Sequence, residues 1–228
     1  NLAYGIPEGG YIGKFIPWRD GSKIDTGYAD GSDWYFQMVF CVTTVSIVSG
    51  TMAERIKLWP FFLFAALLAG VIYPIVMGWQ WGGGWLAKAG FSDFAGSTLV
   101  HSTGGAAALA GAILIGPRLG RFTKSGAPAP LKPFAASSIP LVTLGVFILW
   151  LGWFGFNGGS QLAIGTAPDA IAVSKIFINT LLAGAGGVMA AAAVTRLSGK
   201  TDVVQMLNGC IGGLVAITAE PLMPSPFA

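Results

Sequence analysis

Residues 94–117 read FAGSTLVHSTGGAAALAGAILIGP and include no Asp, Glu, Lys or Arg. An α-helix rises about 1.5 Å per residue, so this stretch can cross a hydrocarbon core of about 30 Å. It contains His101, the only histidine of the chain. An ionisable side chain inside a membrane helix is costly, and by default it marks a route for ions, protons or a polar substrate. The stretch therefore indicates a membrane channel or transporter.

The composition of the whole chain agrees with a membrane protein. Of its 228 residues, 54% are hydrophobic and 10% are charged, whereas soluble domains usually carry about 25% charged residues. The net charge of +3 is too small, and the basic residues too dispersed, to indicate a nucleic-acid partner. Cys41 and Cys210 both lie in apolar segments, which does not favour a disulfide framework.

Six apolar segments approach or exceed the length of a membrane span. Residues 1–32 precede them and are rich in Gly and aromatic residues without helical periodicity, which predicts an extramembrane loop. We therefore expect an all-α polytopic membrane protein with a single membrane domain over 1–228. In it, loops at 1–32 and 220–228 flank a transmembrane bundle at 33–219, and we expect the chain to be a truncated part of a longer protein. The six segments are residues 34–53, 58–79, 94–116, 134–157, 171–194 and 203–219.

The distribution of basic residues predicts the orientation. Lys and Arg collect after the first, third and fifth segments, and positively charged loops favour the cytoplasm. The amino-terminal loop should therefore lie outside, on a side with more acidic than basic residues. Such a mildly acidic mouth suits a cationic solute, although salt screens the attraction. The basic residues on the predicted inner side are Arg55, Lys57, Arg118, Arg121, Lys124, Lys132, Arg196 and Lys200.

The third segment holds polar and small residues with different expected roles. Asp93 stands at its start, where a carboxylate can accept hydrogen bonds from free N–H groups, and this capping role is the favoured interpretation. The helical spacing of Gly104, Ala108 and Gly111 favours close helix packing. A neighbouring helix could satisfy the His101 ring, but its depth in the bilayer favours a role in permeation.

Aromatic residues form a second group of candidates. Phe36 and Phe40 are spaced i, i+4 and so share one helix face. Trp81 follows the second segment, and Trp153 and Phe156 lie near the end of the fourth. Single aromatic rings ordinarily collect at membrane interfaces. A ring face attracts a cation, and by about 2 kcal/mol or more when the cation is partly desolvated. The sequence therefore favours two interpretations of these aromatic residues equally, an interfacial belt and an aromatic cage.

Four motifs occur along the chain in a fixed order. They run from Phe36-Gln37 to Met52-Ala53-Glu54-Arg55, from Asp93-Phe94-Ala95-Gly96 to His101, over Gly152-Trp153-Phe154-Gly155-Phe156-Asn157, and over 209–218. Together they resemble the ammonium transporter family, which includes the Amt proteins, the methylammonium permeases and the Rhesus proteins. The resemblance implies an eleven-helix bundle with an inverted repeat, assembled as a homotrimer with one pore per subunit. This chain would cover roughly the end of helix 2 to helix 8.

The resemblance also implies roles for individual aromatic residues. An outer site would recruit the ammonium ion through Trp81, Phe36, Phe40 and Ser160. Beneath that site, Phe40 and Phe156 would stack as the gate of the pore.

The pore below the gate would be lined by His101 and Trp153, and Asp93 would support the outer site from behind. Desolvation in an apolar pore disfavours a charged amine, so the expected mechanism is deprotonation near the gate and passage of neutral ammonia. Imidazole exists in both protonation states near neutral pH, which suits His101 to carry a hydrogen bond or the proton. The second lumenal histidine of the family belongs to its tenth helix.

The expected partners are ammonium or ammonia, the lipid bilayer, further copies of the chain in a homotrimer, and a PII-type regulatory protein, with no cofactor, metal or nucleic acid. We expect a multi-pass protein of a bacterial-type inner or plasma membrane. The alternative is an Amt-like membrane domain that senses ammonium for a fused signalling module. A water or glycerol channel would need paired Asn-Pro-Ala half-helices, which the sequence lacks. An enzyme is not favoured, because the single His has no plausible nucleophile or metal partner on its face.

Overall fold

The computed structural model describes residues 6–13, 24–25, 28–122 and 136–223. Parts of the predicted amino-terminal loop, and the predicted inner residues Lys124 and Lys132, lie outside the described residues. The chain divides into two compact units. The first unit is Asn1–Ser92 with Thr98–Lys132, and the second unit is Asp93–Ser97 with Pro133–Ala228.

The described part of the first unit consists of helices and their connections, with one pair of very short antiparallel strands near its start. A π-helical turn, which has wider hydrogen-bonded rings than an α-helix, interrupts one helical passage and begins another. Only the first residue of the second π-helical turn belongs to the second unit. In chain order the elements are β1 (Ile24–Asp25), β2 (Tyr28–Ala29), α1 (Asp30–Met52), α2 (Leu58–Leu67), a π-helical turn (Leu68–Ile72), α3 (Tyr73–Gln80), α4 (Trp85–Lys88), a π-helical turn (Ser97–Ser102) and α5 (Thr103–Ile115).

A break in the hydrogen-bond ladder divides the second helical passage, between α2 and α3. Pro74 has no N–H to donate to the carbonyl of Gly70 one turn earlier, so a regular α-helical ladder cannot continue through this point. The π-helical turn Leu68–Ile72 lies directly before it. The passage nevertheless runs on to the end of α3, and the segment predicted at 58–79 is helical over its length.

Small residues bring α1 and α5 together within the first unit. A Cβ atom placed on Gly104 would lie 2.9 Å from the carbonyl oxygen of Thr44, and one on Gly111 would collide with the side chain of Met52. Ala108, between the two glycines, is 7% exposed. Small side chains permit such close approach of membrane helices. The predicted packing role of Gly104, Ala108 and Gly111 is confirmed.

One arginine joins the ends of α1 and α5. The guanidinium group of Arg55 donates from Nη1 to the carbonyl oxygen of Gly116 at 2.8 Å and from Nη2 to the carbonyl oxygen of Thr51. In addition, Arg118 forms a salt bridge of 3.2 Å with Glu54. Cationic side chains satisfy the free carbonyl groups at helix carboxyl ends and oppose the negative end of the dipole. Both helices therefore end at one charged corner, on the predicted inner side.

The second unit is built from long helices with polar caps. The side chain of Ser138 accepts a hydrogen bond from the N–H of Leu141. Thr166 and Asp169 form a reciprocal capping box, and Asp202 accepts from two N–H groups of the helix that it begins. Such caps satisfy amide groups that have no partner inside the helix. The helices are α6 (Ile139–Gly159), α7 (Ala167–Leu197) and α8 (Val203–Ile217).

Glycines form a close seam between α7 and α8. A Cβ atom on Gly187 would overlap the carbonyl oxygen of Gly209, and one on Gly213 would overlap the carbonyl oxygen of Ala183. A Cβ atom on Gly212, one position away on α8, meets nothing within 4 Å. The two backbones therefore touch along one face of α8, and the neighbouring face is open.

Several predicted segment limits are wrong by a few residues. α1 begins at Asp30 rather than at 34, because Asp30 and Asp33 are accommodated in its first turn, at the positive end of the helix dipole. The third helix begins at Ser97 rather than at 94, after a turn capped by Asp93. α7 extends beyond both ends of the segment predicted at 171–194, because the capping box starts it ahead of residue 171.

Among the described residues, five helical stretches are long and apolar enough to cross a membrane. The segment expected at 203–219 forms α8, a shorter apolar helix of 15 residues, which spans about 22 Å. The prediction of an all-α polytopic membrane protein is confirmed, while the single domain over 1–228 stays a prediction. The five stretches are Asp30–Met52, Leu58–Lys88, Ser97–Ile115, Ile139–Gly159 and Ala167–Leu197.

Candidate functional site

Three aromatic rings meet in the first unit. Phe36 and Phe40 lie one turn apart on α1, with ring centroids 4.8 Å apart and ring planes at 88°. Trp81, directly after α3, lies against Phe40 with centroids 5.5 Å apart and planes at 56°. Phe40 is 1% exposed, whereas Phe36 and Trp81 are partly buried. These three residues, hereafter the ring cluster, therefore place two accessible rings around a buried one.

The turn after α3 fixes the position of Trp81. The N–H of Trp81 donates to the carbonyl oxygen of Met77 at 3.0 Å, and the N–H of Gly84 donates to that of Gly78 at 3.2 Å. Gly83 closes the turn with a φ of +74°, a backbone conformation that costs other residues about 1–2 kcal/mol. The helix end and the turn together hold the tryptophan at the edge of α3.

Amino-terminal residues support this turn from the other side. The N–H of Gly9 donates to the carbonyl oxygen of Gly83 at 3.3 Å. The indole Nε1 of Trp79 donates to the carbonyl oxygen of Tyr11 at 2.9 Å, and the ring of Trp85 lies 5.6 Å from that of Trp79 and 5.8 Å from that of Tyr11. These rings belong to the scaffold of the turn rather than to the ring cluster.

A second pair of rings lies near the end of α6 in the second unit. The ring centroids of Trp153 and Phe156 are 5.8 Å apart, with planes at 44°. Ser160, one turn later, donates its hydroxyl proton to the carbonyl oxygen of Phe156 at 2.8 Å. Because that proton is used inside the helix, the Ser160 hydroxyl can meet a cation as a hydrogen-bond acceptor.

A buried polar network holds Trp153, and no sequence motif predicts it. Trp153 Nε1 donates to Thr218 Oγ1 at 2.7 Å. Thr218 Oγ1 lies 3.0 Å from Asn157 Oδ1 and 2.7 Å from the carbonyl oxygen of Leu214. Because a hydroxyl has a single proton, these two acceptors share it. Asn157 Nδ2 then donates to Thr180 Oγ1 at 3.0 Å. Asn157, Thr180 and Thr218 are each 0% exposed.

One sequence signal could have identified this network. Asn157, Thr180 and Thr218 are polar residues in or beside apolar helices, and buried polar groups are costly unless they are paired. Their positions along the chain do not show which of them pair, however, because Asn157 is 23 residues from Thr180 and 61 from Thr218. Their association depends on the packing of α6, α7 and α8.

Asp93 caps the helix that carries His101. Its Oδ1 accepts hydrogen bonds from the N–H groups of Gly96 and Ser97, both at 2.9 Å. The Asp93 side chain is 1% exposed. The predicted capping of the helix start is therefore present, and the support of an outer site by Asp93 stays a prediction.

The backbone beside Asp93 is bonded to the end of α8. The N–H of Phe94 donates to the carbonyl oxygen of Ala219 at 2.7 Å, and the N–H of Ala95 donates to that of Thr218 at 3.0 Å. These bonds fix the segment that leads into the third membrane helix. Thr218 thus contacts this segment through its carbonyl group and Trp153 through its side chain.

His101 lies in the π-helical turn Ser97–Ser102 and is partly buried. It belongs to the stretch Ser97–Ile115, which is long and apolar enough to cross a membrane, as its sequence predicts. The spacing of residues gives no sign of the π-helical turn, which widens the hydrogen-bond ladder and is frequent at functional sites. The role of His101 in a pore stays a prediction.

An apolar cavity of about 680 Å³ lies elsewhere in the first unit. Its lining residues include Leu68, Leu99 and Ala106, but neither the ring cluster nor His101 contributes to its walls. This cavity is therefore not the candidate site.

The predicted aromatic residues and Ser160 thus form two local groups, one in each unit, while His101 and Asp93 belong to neither group. The ring cluster is one group, and Trp153 with Phe156 and Ser160 is the other. The predicted gate between Phe40 and Phe156, and the predicted addition of Ser160 to the outer rings, stay predictions. In the part of the chain that the structure describes, no three His, Cys, Asp or Glu residues form a group that could hold a metal ion.

These helices and aromatic groups define a polytopic α-helical membrane protein. The chain belongs to the ammonium transporter family, because the sequence model described as Ammonium Transporter Family matches residues 2–228. The resemblance indicated by the four motifs is confirmed.

Individual relatives agree with this family. The protein named Ammonium transporter Amt2 from Archaeoglobus fulgidus is 43% identical over 206 residues, which cover 86% of this chain and 42% of that protein. A solved structure described as "Sensor Amt Protein" has a TM-score of 0.82 and 34% identity, and the match covers 99% of this chain and 56% of the other. For Mep2 of Saccharomyces cerevisiae the TM-score is 0.81 and the identity 30%, with coverage of 96% and 49%. The chain spans about half the length of the curated relatives it matches.

Proposed function

We propose that this chain is part of a transporter that moves ammonium, and also methylammonium, across a cell membrane. Membership of the ammonium transporter family supports ammonium as the substrate. The observation that carries the proposal is the ring cluster of Phe36, Phe40 and Trp81. It brings together the start of one helical stretch that is long and apolar enough to cross a membrane and the later part of another.

The ring cluster recruits the cation. An ammonium ion loses part of its hydration shell when it enters an apolar site, and this loss opposes binding. Ring faces offset the cost by about 2 kcal/mol or more where the cation is partly desolvated. Phe36 and Trp81 keep accessible surface for this contact. The Ser160 hydroxyl, which the family resemblance assigns to the same outer site, is proposed as a further hydrogen-bond acceptor. A potassium ion has no N–H group to donate to that acceptor.

Deprotonation follows recruitment. Desolvation below the cluster disfavours the charged form of the amine, so the N–H bond of ammonium breaks, the proton passes to a base and neutral ammonia enters the apolar pore. Phe40 and Phe156 form the gate at this step. His101 accepts a hydrogen bond or the proton, because imidazole can exist in both protonation states near neutral pH. Trp153 lines the path, and Asp93 maintains the start of the His101 helix.

The recruitment step is tested by Trp81→Leu in the full-length protein, reconstituted in lipid vesicles. The assay is the initial rate of radiolabelled methylammonium uptake at a series of concentrations. Loss of about 2 kcal/mol of cation–π attraction raises the apparent KM by about thirty-fold, since each 1.4 kcal/mol corresponds to about tenfold.

The matched control is Trp59→Leu. Trp59 lies on α2 outside the ring cluster and is 79% exposed, so its loss leaves the KM unchanged. An unaltered KM in Trp81→Leu would remove the ring cluster from the recruitment step. Equal effects of the two substitutions would show that the measured change is not specific to the site.

We further propose that the full-length protein is a multi-pass protein of a bacterial-type inner or plasma membrane, assembles as a homotrimer and meets a PII-type protein at its inner face. The basic inner residues, among them Arg118 and Arg121, are compatible with an acidic partner surface. Mass spectrometry of the protein in detergent tests the trimer, which a monomer or dimer would contradict. Copurification from its native membrane with and without a PII-type protein tests the partner.

An ammonium sensor is the second candidate, favoured by the likeness to the structure described as "Sensor Amt Protein". In a sensor, the ring cluster would bind ammonium and a fused module would signal its presence. The remaining sequence of the full-length protein separates the two functions. A fused kinase or cyclase domain combined with absence of methylammonium uptake would establish the sensor in place of the transporter.

A further inference from the structure

We infer that Thr218 is a positioning residue for Trp153, and that its side-chain hydroxyl sets the orientation of this ring along the transport path. The inference rests on the proposed function, which places Trp153 in the pore. Thr218 lies directly after α8 and is 0% exposed. Thr218 ends the motif at 209–218, but the roles that the family resemblance implies do not include its side chain.

The hydrogen bond to Thr218 constrains the whole indole ring. An indole has one donor, Nε1–H, and only two side-chain torsions place it. The bond to Thr218 Oγ1 is 2.7 Å long. With the backbone at one end and Nε1 at the other both fixed, the plane of the Trp153 ring is fixed as well. Since its only donor is in use, Trp153 meets a solute with its ring face.

The Thr218 hydroxyl is itself held in place. Its proton serves the carbonyl oxygen of Leu214 and the Oδ1 of Asn157, which leaves a lone pair of the oxygen for Trp153. Asn157 is anchored in turn through its Nδ2 to Thr180 on α7. The orientation of the Trp153 ring thus depends on bonds that link α6, α7 and the end of α8.

Thr218 makes a second connection that a side-chain substitution leaves intact. Its carbonyl oxygen accepts from the N–H of Ala95, two residues after Asp93. Replacing the side chain removes the bond to Trp153 but keeps this backbone bond. A change in transport then reports on the hydroxyl group rather than on the segment around Asp93.

The test uses full-length variants in lipid vesicles. Thr218→Val keeps the branched shape and removes the hydroxyl, while Thr218→Ser keeps the hydroxyl. Trp153→Phe removes the indole N–H and keeps an aromatic ring. Thr195→Val is the matched control, because within the described residues the Thr195 hydroxyl bonds to carbonyl groups of its own helix, at 2.9 and 3.2 Å. The maximal rate and the KM of methylammonium uptake are measured for each.

Thr218→Val lowers the maximal rate by about five- to tenfold, the factor that corresponds to one buried hydrogen bond of ordinary strength. Its KM stays within about twofold of the unmodified protein, because the recruiting rings are unchanged. Thr218→Ser restores the rate, and Thr195→Val does not alter it. The double variant Thr218→Val with Trp153→Phe is no slower than the slower single variant, because both remove the same bond. A full rate in Thr218→Val, or losses that multiply in the double variant, would overturn the inference.

A spectroscopic measurement tests the role of Thr218 independently of the uptake assay. With ¹⁵N-labelled tryptophan, the indole signal that disappears in Trp153→Phe identifies Trp153. In Thr218→Val this signal shifts and its proton exchanges with deuterium faster, whereas an unchanged signal overturns the inference. If Thr218→Val does not fold, Thr218→Cys offers a weaker acceptor and must shift the same signal. If the unmodified protein shows no uptake, the transport proposal fails and the indole signal alone decides the role of Thr218.

Discussion

Gly213→Ala adds one methyl group at the closest approach of α7 and α8. The new Cβ would overlap the carbonyl oxygen of Ala183 and lie 3.0 Å from its carbonyl carbon and 3.3 Å from the Cα of Gly187. Ordinary contacts between a carbon and a carbonyl oxygen are about 3.3–3.6 Å. The obstacle is backbone, which cannot rotate away as a side chain can, so the two helices must separate by about an ångström or more.

The expected cost follows from overpacking. Adding a methyl group to a filled interface destabilises a protein by about 1–3 kcal/mol. Exchanging Gly for Ala inside a helix contributes about 1 kcal/mol in the opposite direction. Gly212→Ala has the same propensity gain and no contact within 4 Å, so the difference between the two variants isolates the clash at about 1–3 kcal/mol.

The assay is thermal unfolding of the full-length protein in detergent, followed by loss of the folded peak in size-exclusion chromatography. For domains of 150–250 residues, 1 kcal/mol shifts the melting temperature by about 2–4 °C, so Gly213→Ala should melt several degrees below Gly212→Ala. Equal melting temperatures would refute the close seam. A lower melting temperature for Gly212→Ala would show that the close contact lies on the face of α8 that carries Gly212.

Three further predictions concern the ends of helices. Asp93→Ala removes the acceptor of two helix-start N–H groups and should destabilise the protein by about 1–2 kcal/mol in the same melting assay, which an unchanged melting temperature would contradict. Arg55→Leu breaks the bond to the carbonyl of Gly116 and should cost about 1–3 kcal/mol; melting at the temperature of the unmodified protein would rule out the charged corner. Lys88→Ala breaks an ion pair with Glu8 whose side chains are 58% and 84% exposed and should change stability by less than about 1 kcal/mol, so a large loss would mean that this contact is more than a surface pair.

The sequence predicts those parts of the site that depend on regular spacing along one helix. Phe36 and Phe40 meet because residues four apart share a helix face, and Asp93 caps because it precedes an apolar run. The length of the apolar segments likewise identifies the helices that can span a membrane. These features are local, so no knowledge of tertiary packing is needed to find them.

Features set by contacts between helices could not be predicted in this way. Thr218 and Asn157 are far apart in sequence, and their pairing with Trp153 exists only once three helices have packed. α7 begins ahead of the predicted apolar segment, because its first turn contains a capping box with Asp169 that an apolar pattern does not reveal. The π-helical turn around His101 depends on backbone hydrogen bonds that side-chain pattern does not encode.

In the proposed pore, a recruited ammonium ion gives up its proton near His101. The most direct measurement is methylammonium uptake by the full-length protein and by His101→Ala in identical lipid vesicles. We expect saturable uptake that ammonium inhibits and potassium does not. We expect this uptake to be lost in His101→Ala, with the fold intact by size-exclusion chromatography. Uptake at the same rate in both proteins would show that His101 does not take part in transport.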